Sequence, residues 1–186
     1  MQLLKKYFPE LTDEQLVKFE KHKELFIDWN SKINMVSRKD MDNLEERHVL
    51  HALAIAKVIK FLPGAKVLDV GTGGGFPGIP LAIMFPETRF FLIDSICKKI
   101  NVVKDLAQQL GLENVEAGQI RAEDFTTKVD FVVSRAVTRF NKFVPWIKNN
   151  ISEDFKHTTM NGILYLKGGD LTEEMEEIDM FCNEYE

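Results

Sequence analysis

The chain has 186 residues, 45% of them hydrophobic and 28% charged, and its formal net charge is −5 at pH 7. This length suits a single domain with a sizeable core. The acidic balance does not by itself indicate nucleic-acid binding, although the distribution of charge matters more than its sum. No signal-peptide pattern opens the chain, no apolar run approaches the roughly 20 residues that span a bilayer, and Cys97 and Cys182 show neither metal nor disulfide spacing. We therefore expect a cytoplasmic protein without a membrane partner or a metal site.

Residues 1–62 are predicted to form a helical cap. Thr12 and Gln15 have the spacing of a capping box, so a long helix is expected to begin there. After a polar break, a second helix is predicted to begin at a cap on Asp40. The apolar face of this second helix includes His48, and a lone histidine in that setting is more often a core residue than a catalyst.

Beyond the cap the pattern changes to alternating strands and helices. The stretch from Lys66 to Asp94 predicts a strand, a glycine turn, a helix and a second strand that ends on an acid, which is the first unit of a doubly wound nucleotide-binding sheet. Further strands are predicted at 115–119, 130–134 and 163–167, and further helices at 98–110, at about 141–149 and from 172. Right-handed crossovers make such a sheet mostly parallel, with helices on both faces. We therefore expect an α/β, Rossmann-like core over residues 63–186, in one domain with the cap.

The glycine turn predicts a cofactor that contains adenosine. The pattern G-x-G-x-x-G on Gly73, Gly75 and Gly78 suggests NAD, but a phenylalanine-proline pair would then fall where a helix must begin beside a pyrophosphate. The pattern D-x-G-x-G-x-G from Asp69 fits better, because a carboxylate there would compensate the ammonium and sulfonium of S-adenosylmethionine and would gain little beside an anionic pyrophosphate. S-adenosylmethionine is therefore favoured and NAD is the alternative. It also stays open whether Asp69 only forms hydrogen bonds with groups of the turn.

Several residues around this turn are candidates for contact with the cofactor. Asp94 can accept hydrogen bonds from a ribose diol, or it can cap the helix that follows. Phe76 is expected beside the methionine portion or in the core, and Ala122 with Glu123 along the adenine or in a solvated turn. The cofactor candidates from the residues alone are Asp69, Gly71, Gly73, Gly75, Phe76, Asp94, Ala122 and Glu123.

A series of short segments runs through the chain in a fixed order. The segments are Trp29-Asn30, Ile33-Asn34, Ser37-Arg38, Arg47-His48-Val49-Leu50, GTGGGFPGIPLAI from Gly71, Leu92-Ile93-Asp94-Ser95, Arg121-Ala122-Glu123, Ser134-Arg135-Ala136 and Leu166-Lys167-Gly168. With them the chain resembles the bacterial ribosomal RNA small subunit methyltransferase G family, also called glucose-inhibited division protein B. The resemblance implies a class I S-adenosylmethionine-dependent methyltransferase that modifies N7 of a guanosine in 16S ribosomal RNA. It also implies that 16S ribosomal RNA or the small ribosomal subunit is the partner, and we expect a monomer.

The chain departs from the family pattern at two places. Family members usually end with an antiparallel hairpin that closes a seven-stranded sheet, whereas this chain stops at Glu186 without one. We therefore expect a truncated chain or a shortened protein, with an exposed sheet edge near the fifth strand. His51 stands where many members carry an acid, so no role is assigned to it. The match of His48 to the family's Arg-His pair implies that His48 helps to join the cap to the pocket.

Methylation of guanine N7 requires no general base, because N7 already has an available lone pair. We therefore assign no residue a catalytic role, and Arg135 is the candidate if a side chain takes part in the transfer. The resemblance implies that Arg135, at the carboxyl end of the fourth strand, belongs to the cofactor and substrate pocket. Its guanidinium could bind the methionine carboxylate or an RNA phosphate, and a structural ion pair is the alternative.

The remaining basic residues suggest where RNA would bind. The candidates for RNA contact are Arg38, Arg47, Lys98, Lys99, Arg139 and Lys167, although each alone is also consistent with a solvated surface charge. Two alternatives stay open for the function. A small-molecule methyltransferase is favoured by the acidic net charge, and a non-catalytic factor in ribosome assembly or RNA binding is favoured by the absent hairpin.

Overall fold

The computed structural model describes residues 2–185, apart from the side chains of Arg38 and Lys39. Residues 2–62, which we call the cap, are helical. The helical segments of the cap are α1 (Gln2–Tyr7), α2 (Asp13–Lys32), α3 (Arg38–Met41), a π-helical turn (Glu45–Leu50), α4 (His51–Leu53) and α5 (Ile55–Val58).

The capping box predicted at the start of α2 is confirmed. The hydroxyl of Thr12 accepts a hydrogen bond from the Gln15 amide at 3.2 Å, and the Gln15 side chain accepts one from the Thr12 amide at 3.0 Å. These two bonds satisfy two backbone donors that the first turn of a helix leaves free. Farther along α2, Phe19 and Phe26 are fully buried, so one face of this helix packs in the core.

The predicted second helix differs from the structure in two ways. Its N-cap is Ser37 and not Asp40, because the Ser37 hydroxyl accepts the Asp40 amide at 3.2 Å. The carboxylate of Asp40 instead accepts hydrogen bonds from the Ser37 hydroxyl at 2.6 Å and from Arg47 at 2.8 Å. The helix is also divided into short pieces by the π-helical turn. The prediction that its apolar face is buried is nevertheless confirmed, since Leu44 and His48 are buried.

Five parallel strands form one sheet in the order β3-β2-β1-β4-β5. The strands are β1 (Lys66–Val70), β2 (Arg89–Asp94), β3 (Val115–Gln119), β4 (Phe131–Arg135) and β5 (Gly162–Leu166). The strand order reverses between β1 and β4, which pair directly, with Asp69 opposite Val133. Open parallel sheets bind ligands beyond the carboxyl ends of their strands at such a reversal.

Helices cover both faces of the sheet. The remaining helices are α6 (Gly78–Met84), α7 (Cys97–Leu110), α8 (Phe140–Ile147) and α9 (Thr172–Glu176). One buried cluster joins strand residues such as Leu92 to α6, α7 and the cap, and a second joins Leu68 to Phe143 of α8. Gly111 ends α7 with φ +63°, so the predicted end of this helix at residue 110 is confirmed. The prediction of a Rossmann-like α/β fold is confirmed.

The cap is fastened to the core by side-chain hydrogen bonds as well as by apolar contacts. The amide of Gln15 donates to the carbonyl of Met84 at 2.9 Å, and the indole of Trp29 donates to Asp105 at 2.6 Å. These bonds join α2 to α6 and α7. The division into a cap and a core within one domain stays a prediction, but the contacts place the two parts against each other.

The sheet has an open edge at β5, as predicted. Within residues 2–185 β5 pairs with β4 alone, and no antiparallel strand is found. All five residues of β5 are half-buried, whereas four of the five in β1 are buried. Among the described helices, none is long and apolar enough to cross a membrane.

Candidate cofactor and substrate site

A cavity of about 510 Å³ lies where the strand order reverses, beyond the carboxyl ends of β1, β2 and β4. Small-molecule sites occupy roughly 300–1,000 Å³, so the volume suits a nucleoside cofactor. Most of the predicted cofactor residues line the cavity, namely Gly71, Gly73, Phe76, Asp94, Ala122, Glu123 and Arg135. Asp69 and Gly75 do not line it.

At Gly71 and Gly73 the glycine loop presents only backbone atoms to the cavity. Gly71 and Gly73 have φ values of +69° and +59°, in the left-handed region that side chains rarely adopt. A Cβ atom on Gly71 would lie 2.5 Å from Cγ2 of Val137, so glycine is also required by the packing of this loop against the segment after β4. The loop therefore allows a ligand to approach its backbone closely.

Asp69 lies behind the loop and is fully buried. Its Oδ2 accepts hydrogen bonds from the Thr72 hydroxyl at 2.7 Å and from the Gly78 amide at 2.9 Å. Its Oδ1 is buried and has no hydrogen-bond partner among the described residues. Burial raises the pKa of Asp69 to about 7, against the opposing effect of these two hydrogen bonds. These contacts match the alternative in which Asp69 holds the turn, and its contact with a cofactor stays a prediction.

Asp94 connects the glycine loop to the start of α7. Its Oδ2 accepts the Gly73 amide at 3.1 Å and lies 3.8 Å from the Lys99 ammonium, and its Oδ1 accepts the Ile96 amide at 2.9 Å. The side chain is 7% exposed and faces the cavity. The alternative that Asp94 caps α7 is wrong, because the N-cap is Ile96 and has no side-chain cap bond; Asp94 instead holds the Ile96 amide and presents a carboxylate to the cavity. Its hydrogen bonds to a ribose stay a prediction.

Arg135 and His48 meet at the boundary between the core and the cap. The Nη2 atom of Arg135 lies 3.0 Å from Nδ1 of His48. The guanidinium carbon lies 5.1 Å from the centre of the Phe76 ring, and the His48 ring lies 5.4 Å from the same centre. Burial lowers the pKa of Arg135 below its usual value. Within the described part of the chain, the hydrogen-bond partner of Arg135 is thus an imidazole, and no carboxylate forms an ion pair with it.

The predicted RNA-binding residues lie in different surroundings. Lys99 lines the cavity and Lys98 is exposed beside it. Arg47 pairs with Asp40 at 2.8 Å. The side chain of Arg38 lies outside the described part of the chain. RNA binding by any of these residues stays a prediction.

The other two predicted RNA-binding residues are paired with the acidic helix α9. Arg139 pairs with Glu177 at 2.6 Å, and Lys167 pairs with Glu174 and donates to the Thr138 carbonyl at 3.0 Å. Both cations therefore have intramolecular partners in this structure. Their RNA contacts, which also stay predictions, would require α9 to move or its carboxylates to be neutralised.

Sequence reasoning missed the part of the cavity wall that comes from the cap. Phe26, Met35 and Val36 line the cavity. The loop after α2 is held there by Asn30, whose Oδ1 accepts the Met35 and Val36 amides at 2.8 and 2.9 Å. Asn30 belongs to the Trp-Asn segment that supported the family resemblance, and this segment was the available signal.

The fold and the position of the cavity define a Rossmann-like class I methyltransferase. A family profile described as rRNA small subunit methyltransferase G (GidB) matches residues 15–184. The chain belongs to this family. The family resemblance and the prediction of an S-adenosylmethionine-dependent methyltransferase are thereby confirmed.

Relatives with this description match nearly the whole chain. The ribosomal RNA small subunit methyltransferase G of Flavobacterium psychrophilum is 61% identical over 177 residues, which is 95% of this chain and 85% of the relative. The protein of the same name from Cytophaga hutchinsonii is 54% identical over 186 residues, covering 100% of this chain and 90% of the relative. The sequence similarity is therefore not confined to the glycine loop.

Solved structures with low sequence identity share the fold. Coclaurine N-methyltransferase bound to N-methylheliamine and SAH matches with a TM-score of 0.52 and 16% identity, over 57% of this chain and 33% of that one. The M. jannaschii TYW2 structure in complex with AdoMet matches with a TM-score of 0.51 and 18% identity, over 64% and 51% of the two chains.

The residues of the cavity fit S-adenosylmethionine. Asp94 offers a carboxylate for a ribose diol, and Gly73 leaves open space where a Cβ would stand, since the nearest atom would be 3.9 Å away. Asp69 lies behind the loop and outside the cavity lining, with one buried oxygen unpaired among the described residues, so its compensation of the cationic end of the cofactor stays a prediction. The carboxylate of Asp94 at the cavity suits a pyrophosphate less well than a ribose diol, because it would repel a second anion.

Proposed function

We propose that the protein transfers a methyl group from S-adenosylmethionine to N7 of a guanosine in 16S ribosomal RNA. The observation that carries this proposal is the cavity itself, which Arg135 lines and beside which Ser134 and His48 are both engaged in hydrogen bonds. The Ser134 hydroxyl donates to the Val70 carbonyl at 2.8 Å, and Nδ1 of His48 faces Arg135. Neither group is available to remove a proton, and a reaction at N7 does not need one.

In this proposal the protein binds and orients the two reactants. The bound cofactor supplies an electrophilic methyl group on a sulfonium. Asp94 accepts hydrogen bonds from the ribose of the cofactor, and Ala122 and Glu123 lie along its adenine. The backbone of the loop at Gly71 and Gly73 lies against the cofactor. Holding two reactants in line can supply about 7–11 kcal/mol of a barrier. Orientation and exclusion of water are therefore sufficient roles for these residues.

The proposed RNA substrate approaches beside Lys99 and Arg135, the cations of which lie at the cavity. Relatives that are 54–61% identical are described as ribosomal RNA small subunit methyltransferase G, which supports an RNA substrate. The end of β4 and the residue after it read Ser134-Arg135-Ala136, without the Asn/Asp-Pro-Pro-Tyr sequence with which many amino-group methyltransferases bind their acceptor. This difference favours a ring nitrogen such as N7 over an exocyclic amine. We also propose that the active form is a monomer, which light scattering can check.

The experiment is methyl transfer by the full chain from S-adenosylmethionine that carries a labelled methyl group. Naked 16S RNA, small ribosomal subunits and free guanosine are supplied in parallel, and the digested products are analysed by mass spectrometry for 7-methylguanosine. We expect label in 7-methylguanosine from RNA or subunits and none from free guanosine. Asp94→Ala serves as the cofactor-site control. Label in another methylated nucleoside, or in free guanosine alone, would contradict the proposal.

A further inference from the structure

We propose that His48 is a positioning residue for methyl transfer, whose Nδ1 lone pair holds the guanidinium of Arg135 in place against Phe76 at the cavity wall. The family resemblance implies only that His48 joins the cap to the pocket, and the positioning of Arg135 goes beyond that. This inference rests on the proposed function, because the reaction for which Arg135 is positioned is the proposed methyl transfer. His48 is not a catalytic residue in this proposal, because it acts on the substrates only through Arg135.

The backbone around His48 departs from a regular helix in a way that serves this contact. Residues Glu45–Leu50 form a π-helical turn, in which the His51 amide donates to the Glu46 carbonyl five residues earlier. Such wide turns inside helices are uncommon and occur frequently at functional sites. In this turn Val49 is fully buried in the core, while the neighbouring His48 meets Arg135. The turn therefore aims an imidazole at the cavity wall without removing the helix from the core.

The hydrogen bond has only one possible direction. A guanidinium carries donors and no acceptor, so Arg135 donates and Nδ1 of His48 accepts at 3.0 Å. His48 must therefore be neutral, with its proton on Nε2. Protonation of Nδ1 would remove the acceptor and would place two cations in contact.

The surroundings of His48 keep it in the neutral form. Burial and the charge of Arg135, in that order, lower the pKa of His48 to about 4. Arg47 and His51, on the same helical segment, act in the same direction, and Asp40 of α3 opposes them. The neutral imidazole is thus present throughout the pH range in which the enzyme would work.

Phe76 completes the arrangement from the other side. The ring of Phe76 is 3% exposed and packs edge-to-face on Phe26 of α2, with ring centres 5.1 Å apart. The guanidinium of Arg135 lies over this ring, where cation–π attraction favours it. An arginine side chain has many rotamers, and one hydrogen bond together with one aromatic face removes most of that freedom. The cap therefore sets the orientation of a core residue at the cavity.

His22 provides a matched control within the same aromatic cluster. Its ring centre lies 5.5 Å from that of Phe76, and the side chain is fully buried. Neither of its ring nitrogens has a hydrogen-bond partner among the described residues. His22→Leu therefore removes a buried imidazole beside Phe76 without removing a partner of Arg135.

The test is a double-mutant cycle in the full chain, with His48→Leu, Arg135→Ala and the double variant. For each variant we would measure kcat/KM for RNA methylation and Kd for S-adenosylmethionine by calorimetry. We expect His48→Leu to lower one or both by roughly 10- to 100-fold, the size expected for loss of a hydrogen bond to a charged group. In the Arg135→Ala background the same substitution should change them less than about 3-fold, because coupled residues are not additive.

Two further variants separate positioning from simple structural support. His48→Asn retains an acceptor and should recover at least about a third of the lost activity, whereas His22→Leu should leave activity and cofactor affinity within about 2-fold of the parent protein. Additive losses in the cycle would overturn the proposal. So would a His48→Leu protein with unchanged kinetics, or a His48→Asn protein as impaired as His48→Leu.

One measurement needs no turnover, so it tests the contact of His48 with Arg135 independently of the proposed function. Nitrogen-15 NMR of the folded protein should show His48 with an unprotonated Nδ1, and an Arg135 guanidinium signal that broadens in His48→Leu but not in His22→Leu. A protonated Nδ1, or an Arg135 signal unaffected by His48→Leu, would overturn the role of His48 even in an active enzyme. If the parent protein transfers no methyl group to RNA, the proposed function fails while this measurement still decides the contact.

Discussion

The carboxylate of Glu174 holds the ammonium of Lys167 in an ion pair whose side chains are only 16% and 9% exposed. The same carboxylate oxygen accepts the Phe140 amide at 3.2 Å, at the first residue of α8. The cation lies over the Phe140 and Tyr165 rings, 4.7 and 4.9 Å from their centres. One glutamate of α9 thus joins the end of β5 to the start of α8.

Glu174→Ala is expected to lower the free energy of unfolding by about 1–3 kcal/mol, because it leaves a nearly buried ammonium without its carboxylate. Urea denaturation of the variant and the parent protein measures this change. Glu176→Ala, on the same helix and exposed, is the control and should have little effect. Equal stability of Glu174→Ala and the parent would mean that the pair contributes nothing to the fold.

Glu177→Gln is expected to strengthen binding of the proposed RNA substrate. The substitution removes the carboxylate that pairs with Arg139 at 2.6 Å and leaves that guanidinium available to a phosphate. We expect Kd for RNA to fall about 2- to 5-fold at low salt, with a log–log salt slope steeper by about one, as for one added phosphate contact. Fluorescence anisotropy at several salt concentrations measures both quantities.

Glu176→Gln carries the same change in net charge and is the matched control for Glu177→Gln. If both variants bind RNA equally well, general charge and not Arg139 accounts for the gain. Arg139→Gln should abolish the effect of Glu177→Gln. Persistence of the gain without the arginine would contradict the prediction.

Gly71→Ala is expected to weaken binding of S-adenosylmethionine at least about 10-fold. Gly71 has φ +69°, and the added methyl would lie 2.5 Å from Cγ2 of Val137, so the loop must shift. A left-handed conformation costs a residue with a Cβ about 1–2 kcal/mol. Calorimetry of Gly71→Ala and of Gly71→Ala with Val137→Ala measures the two parts of the penalty. The double variant should recover part of the affinity, because it relieves the clash but not the backbone strain.

Asp69 should make the stability of the protein depend on pH. Burial raises its pKa from 3.8 to about 7, so between these values the folded protein holds a proton that the unfolded chain has released. Its contribution to stability is therefore present below pH 3.8 and is lost as pH rises through 7, with a slope of about 1.4 kcal/mol per pH unit. Asp69→Asn should remove this slope from urea denaturation measured between pH 5 and pH 8. A variant with the same pH profile as the parent would show that Asp69 is ionised throughout this range.

Local patterns predicted much of the fold. The capping box at Thr12, the left-handed end of α7 at Gly111 and the strands at the centre of the sheet all follow from short-range chemistry, and each agrees with the structure within a residue or two. The N-cap of α3 was assigned to the wrong residue because Ser37 and Asp40 are both good N-cap residues, and only the backbone geometry decides between them.

Long-range contacts could not be predicted in the same way. The pairs Lys167–Glu174 and Arg139–Glu177 depend on where α9 returns to the sheet, and the contact of His48 with Arg135 joins residues 87 positions apart. The position of Met35 in the cavity wall follows from a hydrogen bond to Asn30 that no periodicity indicates. Residue type predicted the chemistry available to the site, and tertiary packing decided which groups meet.

The cap contains a buried imidazole whose nitrogens have no partner among the described residues. Burial lowers the pKa of His22 to about 4, so its contribution to stability is present above pH 6.5 and is lost as pH falls through 4. The pKa of His48 is lowered in the same direction. Mild acid should therefore loosen the helical part of the molecule before the sheet, and the enzyme would lose the wall that orients Arg135 while its parallel strands remain assembled.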